Sequence, residues 1–168
     1  MDSAVFSQEI KNNVFNILNL CNQKNIKIVT AESCTGGLIA GCLTEVPGSS
    51  RVVEGGFVTY SNNLKNSILL VKLEEIEQHG AVSEEVARSM AEGALLISKA
   101  DIAIACTGVA GPDGGTPLKP LGLVHLSCAL RNYQTMHQKY NFLGDRGEIR
   151  SATINAALKL VEAQLGII

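Results

Sequence analysis

Lys27-Ile28-Val29-Thr30-Ala31, followed at once by Glu32-Ser33-Cys34-Thr35-Gly36-Gly37, decides the fold. The first five residues are apolar and β-prone without polar alternation, which predicts a strand buried on both faces. Leu38 to Leu43 predicts a helix that stops at Pro47-Gly48. A strand running straight into a glycine-rich turn and a helix is the start of an α/β layer. Upstream, Ile10, Val14, Phe15, Ile17, Leu18 and Cys21 recur at helical spacing between Phe6 and Asn22. Downstream, Arg51 to Tyr60 reads as a second strand, with Gly55-Gly56 marking a bulge or a close approach. Ser61 or Asn62 caps a helix carrying Leu64, Ile68 and Leu69, and Ser83-Glu84-Glu85 starts another that reaches about Ser98. Asp101 to Cys106 is an apolar strand that opens into the loop from Thr107 to Gly115. Gly122 to Leu130 and Thr135 to Phe142 form an antiparallel hairpin across Arg131-Asn132-Tyr133, and Arg146 to Leu165 closes the chain as a helix. The expected fold is a three-layer α/β/α sandwich around a mixed, mostly parallel sheet with a C-terminal antiparallel hairpin. It is expected to form one domain over residues 1–168.

The bulk chemistry narrows the function. The formal net charge is -2, aromatics make up 4% and Trp is absent, so neither a polyanion-binding surface nor a base-stacking platform is expected. No run of eighteen apolar residues suits a membrane span, and the first ten residues lack the pattern of a secretory signal. A cytoplasmic protein is expected. Cys21, Cys34, Cys42, Cys106 and Cys128 are odd in number and never spaced as Cys-x-x-Cys, which favours reduced thiols over disulfides or zinc. His79, His125 and His137 are dispersed, so no metal is expected.

Ligands of open α/β sheets bind beyond the carboxyl ends of the strands, where both glycine-rich loops are expected. In the first, Ser33 falls on a strand-to-helix turn, and the N–H groups from Cys34 to Gly37 lie near a helix start. Such a turn suits a nucleophile beside an oxyanion hole, or Ser33 or Thr35 is simply a cap. Gly36-Gly37 in that place points to a close approach by a ligand or by backbone. No histidine stands in a suggestive motif, so the base falls to Lys65, near Tyr60; an exposed helix lysine is the bland alternative. In the second loop, Thr107 offers a hydroxyl, and Gly108, Gly111, Gly114 and Gly115 allow backbone close to a ligand. Asp113 also suits a plain turn, and Lys119 either reaches a phosphate or is solvated. Arg146 and Arg150 near a helix start suggest a bound anion, although pairing with Asp145 or Glu148 explains them equally well.

Ala31-Glu32-Ser33-Cys34-Thr35-Gly36-Gly37, Gly56-Phe57-Val58-Thr59-Tyr60-Ser61-Asn62 with Lys65, Gly80-Ala81-Val82-Ser83-Glu84, the loop Thr107–Gly115 and Lys119-Pro120 together closely resemble the C-terminal domain of the CinA family. This is the competence/damage-inducible family, whose stand-alone members are nicotinamide-nucleotide amidases. The resemblance runs from about residue 8 to 165. It implies a cofactor-free amidohydrolase that converts nicotinamide mononucleotide to nicotinic acid mononucleotide and ammonia. Residue by residue it implies Ser33 as nucleophile, Lys65 as general base and Tyr60 as a third catalytic residue. Thr35, Gly36, Gly37, Thr107, Gly108, Gly111 and Arg146 are expected on the substrate, with Arg146 on phosphate or developing charge. Leu64, Leu70 and Leu118 depart from the family's usual small residue, Gly and acidic residue, which touches the detail of the pocket rather than the reaction. Larger members carry an N-terminal domain similar to molybdopterin-binding proteins; no counterpart is read here, so that domain's activity is not expected. The partner expected is a small-molecule substrate, without nucleic acid or membrane, and a homo-oligomer is left open. The rivals are a non-catalytic nucleotide-binding regulatory module and an interaction subunit of DNA uptake or damage response.

Overall fold

In the computed structural model, which describes residues 6–168, every residue of strand β1 (Ile28–Glu32) is buried. The same holds along β4 (Leu123–Leu130) and for all but the last residue of β3 (Ile102–Gly108), because helices cover both faces of the sheet. Strand β2 (Val53–Val58) alternates between half-buried and exposed, and β5 (Met136–Asn141) is largely open. These two are the edges: the order is β2-β1-β3-β4-β5. Strands β2, β1 and β3 are mutually parallel, while β4 pairs antiparallel with both neighbours. The sheet is therefore mixed, with β4 the only reversed strand among its five.

Helices α1 (Gln8–Gln23), α2 (Leu38–Thr44) and α6 (Arg146–Leu165) pack on one face. The main helix on the other is α5 (Glu84–Ile97), with the short α4 (Leu73–His79) beside it. The three expected layers are present. Ile28, Ile102 and Ile104 lie fully buried toward α1 and α6, each burial being worth about 2 kcal/mol. Toward α5 the strands carry Ala31, Ala103 and Ala105, and these small side chains let the helix sit close. Helix α6 begins in a capping box in which Asp145 and Glu148 satisfy each other's backbone N–H groups. Ser7, Ser61 and Ser83 cap α1, α3 (Asn62–Ser67) and α5 through their hydroxyls.

Several local expectations shift. Phe15 points outward at 55% exposure. Helix α3 stops at Ser67, leaving Ile68 and Leu69 beyond it, because Leu70 turns left-handed at φ 62°. Helix α4 was not expected, and His79 is its last residue. Gly55-Gly56 holds both features foreseen. The β1–β2 register skips Glu54, and a Cβ on Gly56 would stand 2.5 Å from Thr30 Oγ1. Part of the reading of the first ten residues as carrying no secretory signal falls on residues 1–5, outside the described residues. Among the described residues no helix is long and apolar enough to cross a membrane.

Candidate active site

Strands β1, β2 and β3 run side by side in the same direction, so their carboxyl ends open on one cleft. Its cavity of about 230 Å³ is lined by Ser33 and Cys34 from the first loop and by Tyr60 and Lys65 from beyond β2. Thr107 and Arg146 add to the polar lining, and Ala81-Val82 forms an apolar wall. Larger cavities exist, including one of about 460 Å³ beside β5, but this small one gathers the reactive groups.

Ser33 follows the last residue of β1 and is held by its own backbone. Its N–H donates to the Cys106 carbonyl at 3.1 Å, and its carbonyl accepts from Gly36 N–H at 3.1 Å. Lys65 reaches it from α3. Although it is a lysine, it is only 1% exposed, among the largest fully buried side chains in the chain. Its Nζ lies 3.0 Å from Ser33 Oγ, 2.9 Å from the Thr59 carbonyl and 3.4 Å from the Tyr60 carbonyl. Among the described residues no carboxylate stands within 4.0 Å of it. Burial therefore lowers its pKa below the ordinary 10.5, because desolvation penalises the ammonium form. In the neutral amine two N–H groups serve the two carbonyls and the lone pair meets the serine hydroxyl.

Cys34 lines the same cavity, but its thiol is pushed well above the ordinary value by a hydrogen bond with Cys106 and by burial. It remains a thiol at neutral pH, whereas the Ser33 hydroxyl is the group of the turn that lies within hydrogen-bond distance of an amine.

The rest of the first loop faces inward. Glu32 is fully buried, and its two carboxylate oxygens accept from Thr30 Oγ1, Thr35 Oγ1 and the N–H groups of Gly37, Ile39 and Ala40. Thr35 is thus turned away from the cleft, and so is the N–H of Gly37. Gly36 N–H is spent on Ser33, so an oxyanion hole spread from Cys34 to Gly37 does not fit. The N–H groups of Cys34 and Thr35 meet no carboxylate and no other backbone acceptor among the described residues. The close approach expected at Gly36 is made by the Arg150 side chain, 3.4 Å from where a Cβ would sit.

In the second loop, Thr107 Oγ1 donates to the Ala81 carbonyl at 2.7 Å and so ties the apolar wall to β3. Gly108 lines the cleft, but a side chain there would strike Val124 and Leu123, so its bareness serves β4. Gly111 lies in a neighbouring apolar recess of about 540 Å³, where its carbonyl accepts from Arg146 Nη1 at 2.8 Å. Arg146 Nη2 reaches Tyr60 Oη at 3.3 Å, so the exposed guanidinium bridges the mouth of the cleft with no carboxylate partner among the described residues. Arg150 instead donates to the Thr35 carbonyl at 2.8 Å. Lys119 Nζ is taken by the His79 carbonyl at 2.7 Å and does not face the cleft. His125 and His137 bond each other at 3.0 Å away from Ser33, and burial pushes His125 down to about 4. No group of three or more metal-ligating side chains occurs among the described residues.

Two contributors were not singled out from sequence. Asn62, which follows the α3 cap, lines the cleft beside Tyr60. Glu32 organises the first turn; its signal was an acidic residue ending an otherwise apolar strand just before a Gly-Gly helix start.

Residues 7–165 match the family described as CinA C-terminal domain. A CinA-like protein of Chlorobium phaeobacteroides is 50% identical over 147 residues, covering 85% of this chain and 35% of that protein. One from Thermotoga neapolitana is 42% identical over 149 residues, covering 89% and 36%. The chain thus spans about a third of the length of these curated relatives. The crystal structure of the competence/damage inducible protein CihA from Agrobacterium tumefaciens superimposes with a TM-score of 0.94 at 45% identity. That likeness covers 97% of this chain and 99% of the other.

Proposed function

The chain belongs to the CinA C-terminal domain family, and on that premise we propose that it is a nicotinamide mononucleotide amidohydrolase working through Ser33 and Lys65. One observation carries the reading: a buried lysine without a carboxylate partner among the described residues, its Nζ 3.0 Å from a serine hydroxyl at a strand-to-helix turn. A lysine has little reason to be buried unpaired as a structural element, since the ammonium loses its hydration there. As a neutral amine it is a general base already in place.

The steps follow from that geometry. Lys65 takes the Ser33 proton as Oγ attacks the carboxamide carbon of the nicotinamide ring. The developing oxyanion is met by the N–H groups of Cys34 and Thr35. Lys65 returns the proton to the departing nitrogen, which leaves as ammonia and strands the acyl group on Ser33. A water activated by the same amine then hydrolyses the ester to the carboxylic acid. Tyr60 and Arg146 stand at the mouth, where the nucleotide phosphate would meet the guanidinium.

Ammonia release from nicotinamide mononucleotide, with EDTA present, tests this for wild type, Ser33→Ala and Lys65→Ala. Turnover that falls by about a thousandfold or more in both variants is the expected result. A folded wild type without turnover would sink the amidase and favour a nucleotide-binding module.

A further inference from the structure

Glu32 is the most heavily bonded buried side chain near the site, yet it touches neither the cleft nor Lys65 through any hydrogen bond. Its Oε2 accepts from Thr35 Oγ1 at 2.6 Å, Gly37 N–H at 3.0 Å and Ile39 N–H at 3.0 Å. Its Oε1 accepts from Thr30 Oγ1 at 3.0 Å and Ala40 N–H at 2.8 Å. No cation pairs with it among the described residues. A buried charge held only by neutral donors needs every one of them, so the bonds fix the turn rigidly.

Resting on the amidase reading above, we propose that Glu32 is the positioning residue of the nucleophile. It anchors the turn from both ends, through Thr30 on β1 and through Gly37, Ile39 and Ala40 at the start of α2. Ser33 is the next residue in the chain, so its Oγ is fixed opposite Lys65. The carboxylate also consumes the donors of the α2 start. Only the N–H groups of Cys34 and Thr35 then remain to meet an oxyanion, and that helix end is closed to a substrate phosphate. Glutamine cannot replace it without loss. With its oxygen in the Oε2 position, its NH₂ would face Ala40 N–H, donor against donor.

The test compares wild type, Glu32→Gln, Glu32→Asp and Thr35→Val, with Ser33→Ala as the blank. Two readouts are taken. One is kcat and KM for nicotinamide mononucleotide, expressed per active site counted by stoichiometric fluorophosphonate labelling of Ser33. The other is the second-order rate of that labelling, which needs no substrate assignment. Glu32→Gln should lower kcat per labelled site by at least about tenfold and slow labelling in parallel, with KM almost unchanged. Glu32→Asp, one methylene short of α2, should not rescue it. Thr35→Val, which removes the 2.6 Å bond to Glu32 and the 3.0 Å contact with Cys106 Sγ while leaving the Glu32 carboxylate in place, should lose about threefold to tenfold. A merely structural role would reduce the number of labelled sites and leave kcat per site intact. That result, or wild-type labelling rates in Glu32→Gln and Thr35→Val, overturns the proposal. If Glu32→Gln does not fold, Thr35→Val decides alone. If wild type releases no ammonia, the amidase reading fails, and the labelling rates still decide the role of Glu32. A wild type whose Ser33 does not label overturns both.

Discussion

The two glycine-rich loops of this protein have similar compositions and opposite constructions. The turn from Glu32 to Gly37 is buried over most of its length and knotted around one carboxylate. The loop beyond Gly108 is largely exposed and is held at a few points from outside: Thr107 on Ala81, Arg146 on Gly111, Lys119 on His79. Reaction chemistry needs atoms fixed within fractions of an ångström, which a turn anchored on a buried carboxylate provides. Recognition of a polar substrate needs charged groups that reach solvent, and Arg146 stands there. Under the proposed amidase reading, chemistry belongs to the first loop and grip to Arg146 of α6, which rests on the second.

The sharpest way to break that division is the pH dependence of the first loop's chemistry. As the proposed base, Lys65 must be neutral to act, and its pKa lies below 10.5 because it is desolvated. Activity should therefore rise with pH along a limb whose midpoint is below that value. Stability should move the same way. The unfolded chain holds the proton more tightly than the folded one, so raising pH through the window between the two values favours the folded state. Lys65→Arg, always charged, should lose about a thousandfold or more at every pH and show no such limb. A Lys65→Arg enzyme that keeps the wild-type profile would remove Lys65 as base.

The second loop should answer with affinity instead. Arg146→Ala should raise KM for nicotinamide mononucleotide by about tenfold, with kcat changed little, since one charge-assisted contact is worth about 1.5 kcal/mol. The free amide nicotinamide, which carries no phosphate, should be turned over by wild type and variant alike. Equal losses on both substrates would place Arg146 in the chemistry and erase the contrast between the loops.

How much of this the sequence disclosed follows the same division. The strands buried on both faces, the serine caps and the long α6 were legible, because apolar runs and capping chemistry are local signals. The meeting of Ser33 with Lys65 is not local: 32 residues separate them, and nothing in the spacing shows that α3 folds back over β1. Motif resemblance named the pair, and the geometry brought them within bonding distance. Thr35, Gly36 and Gly37 were expected on the substrate because glycine beside threonine reads alike whether the partner is a ligand or a buried glutamate. Spacing alone did not separate Arg146 from Arg150, although the resemblance favoured Arg146. They separate only because one helical turn carries Arg150 back toward the Thr35 carbonyl. Helix α4 was missed since Lys72 gives it no side-chain cap and Ile76 is its one buried residue.

The smallest effect concerns backbone conformation, and it places the first loop beside a third segment. Gly36 has φ 61° and Leu70 has φ 62°, so two positions share one left-handed conformation with opposite residue choices. An L side chain costs about 1 kcal/mol there, whereas glycine adopts it freely. At Gly36 an added Cβ would meet Arg150 Nη2 at 3.4 Å, an ordinary contact, so strain and not collision governs the substitution. Gly36→Ala should therefore destabilise by about 1 kcal/mol, lowering Tm by about 3 °C. Leu70→Gly should do the reverse, since Leu70 is 53% exposed and has little packing to lose. Its gain should be nearer 0.5 kcal/mol, because glycine also gives the unfolded chain more freedom to lose. The signs should differ in activity as well. Gly36 N–H holds the Ser33 carbonyl, so strain at that site should slow the reaction, while relief at Leu70, beyond the end of α3, should leave kcat as it was. Thermal melts of the two variants check the pair, and a Leu70→Gly protein that melts below wild type would show that Leu70's packing outweighs its strain.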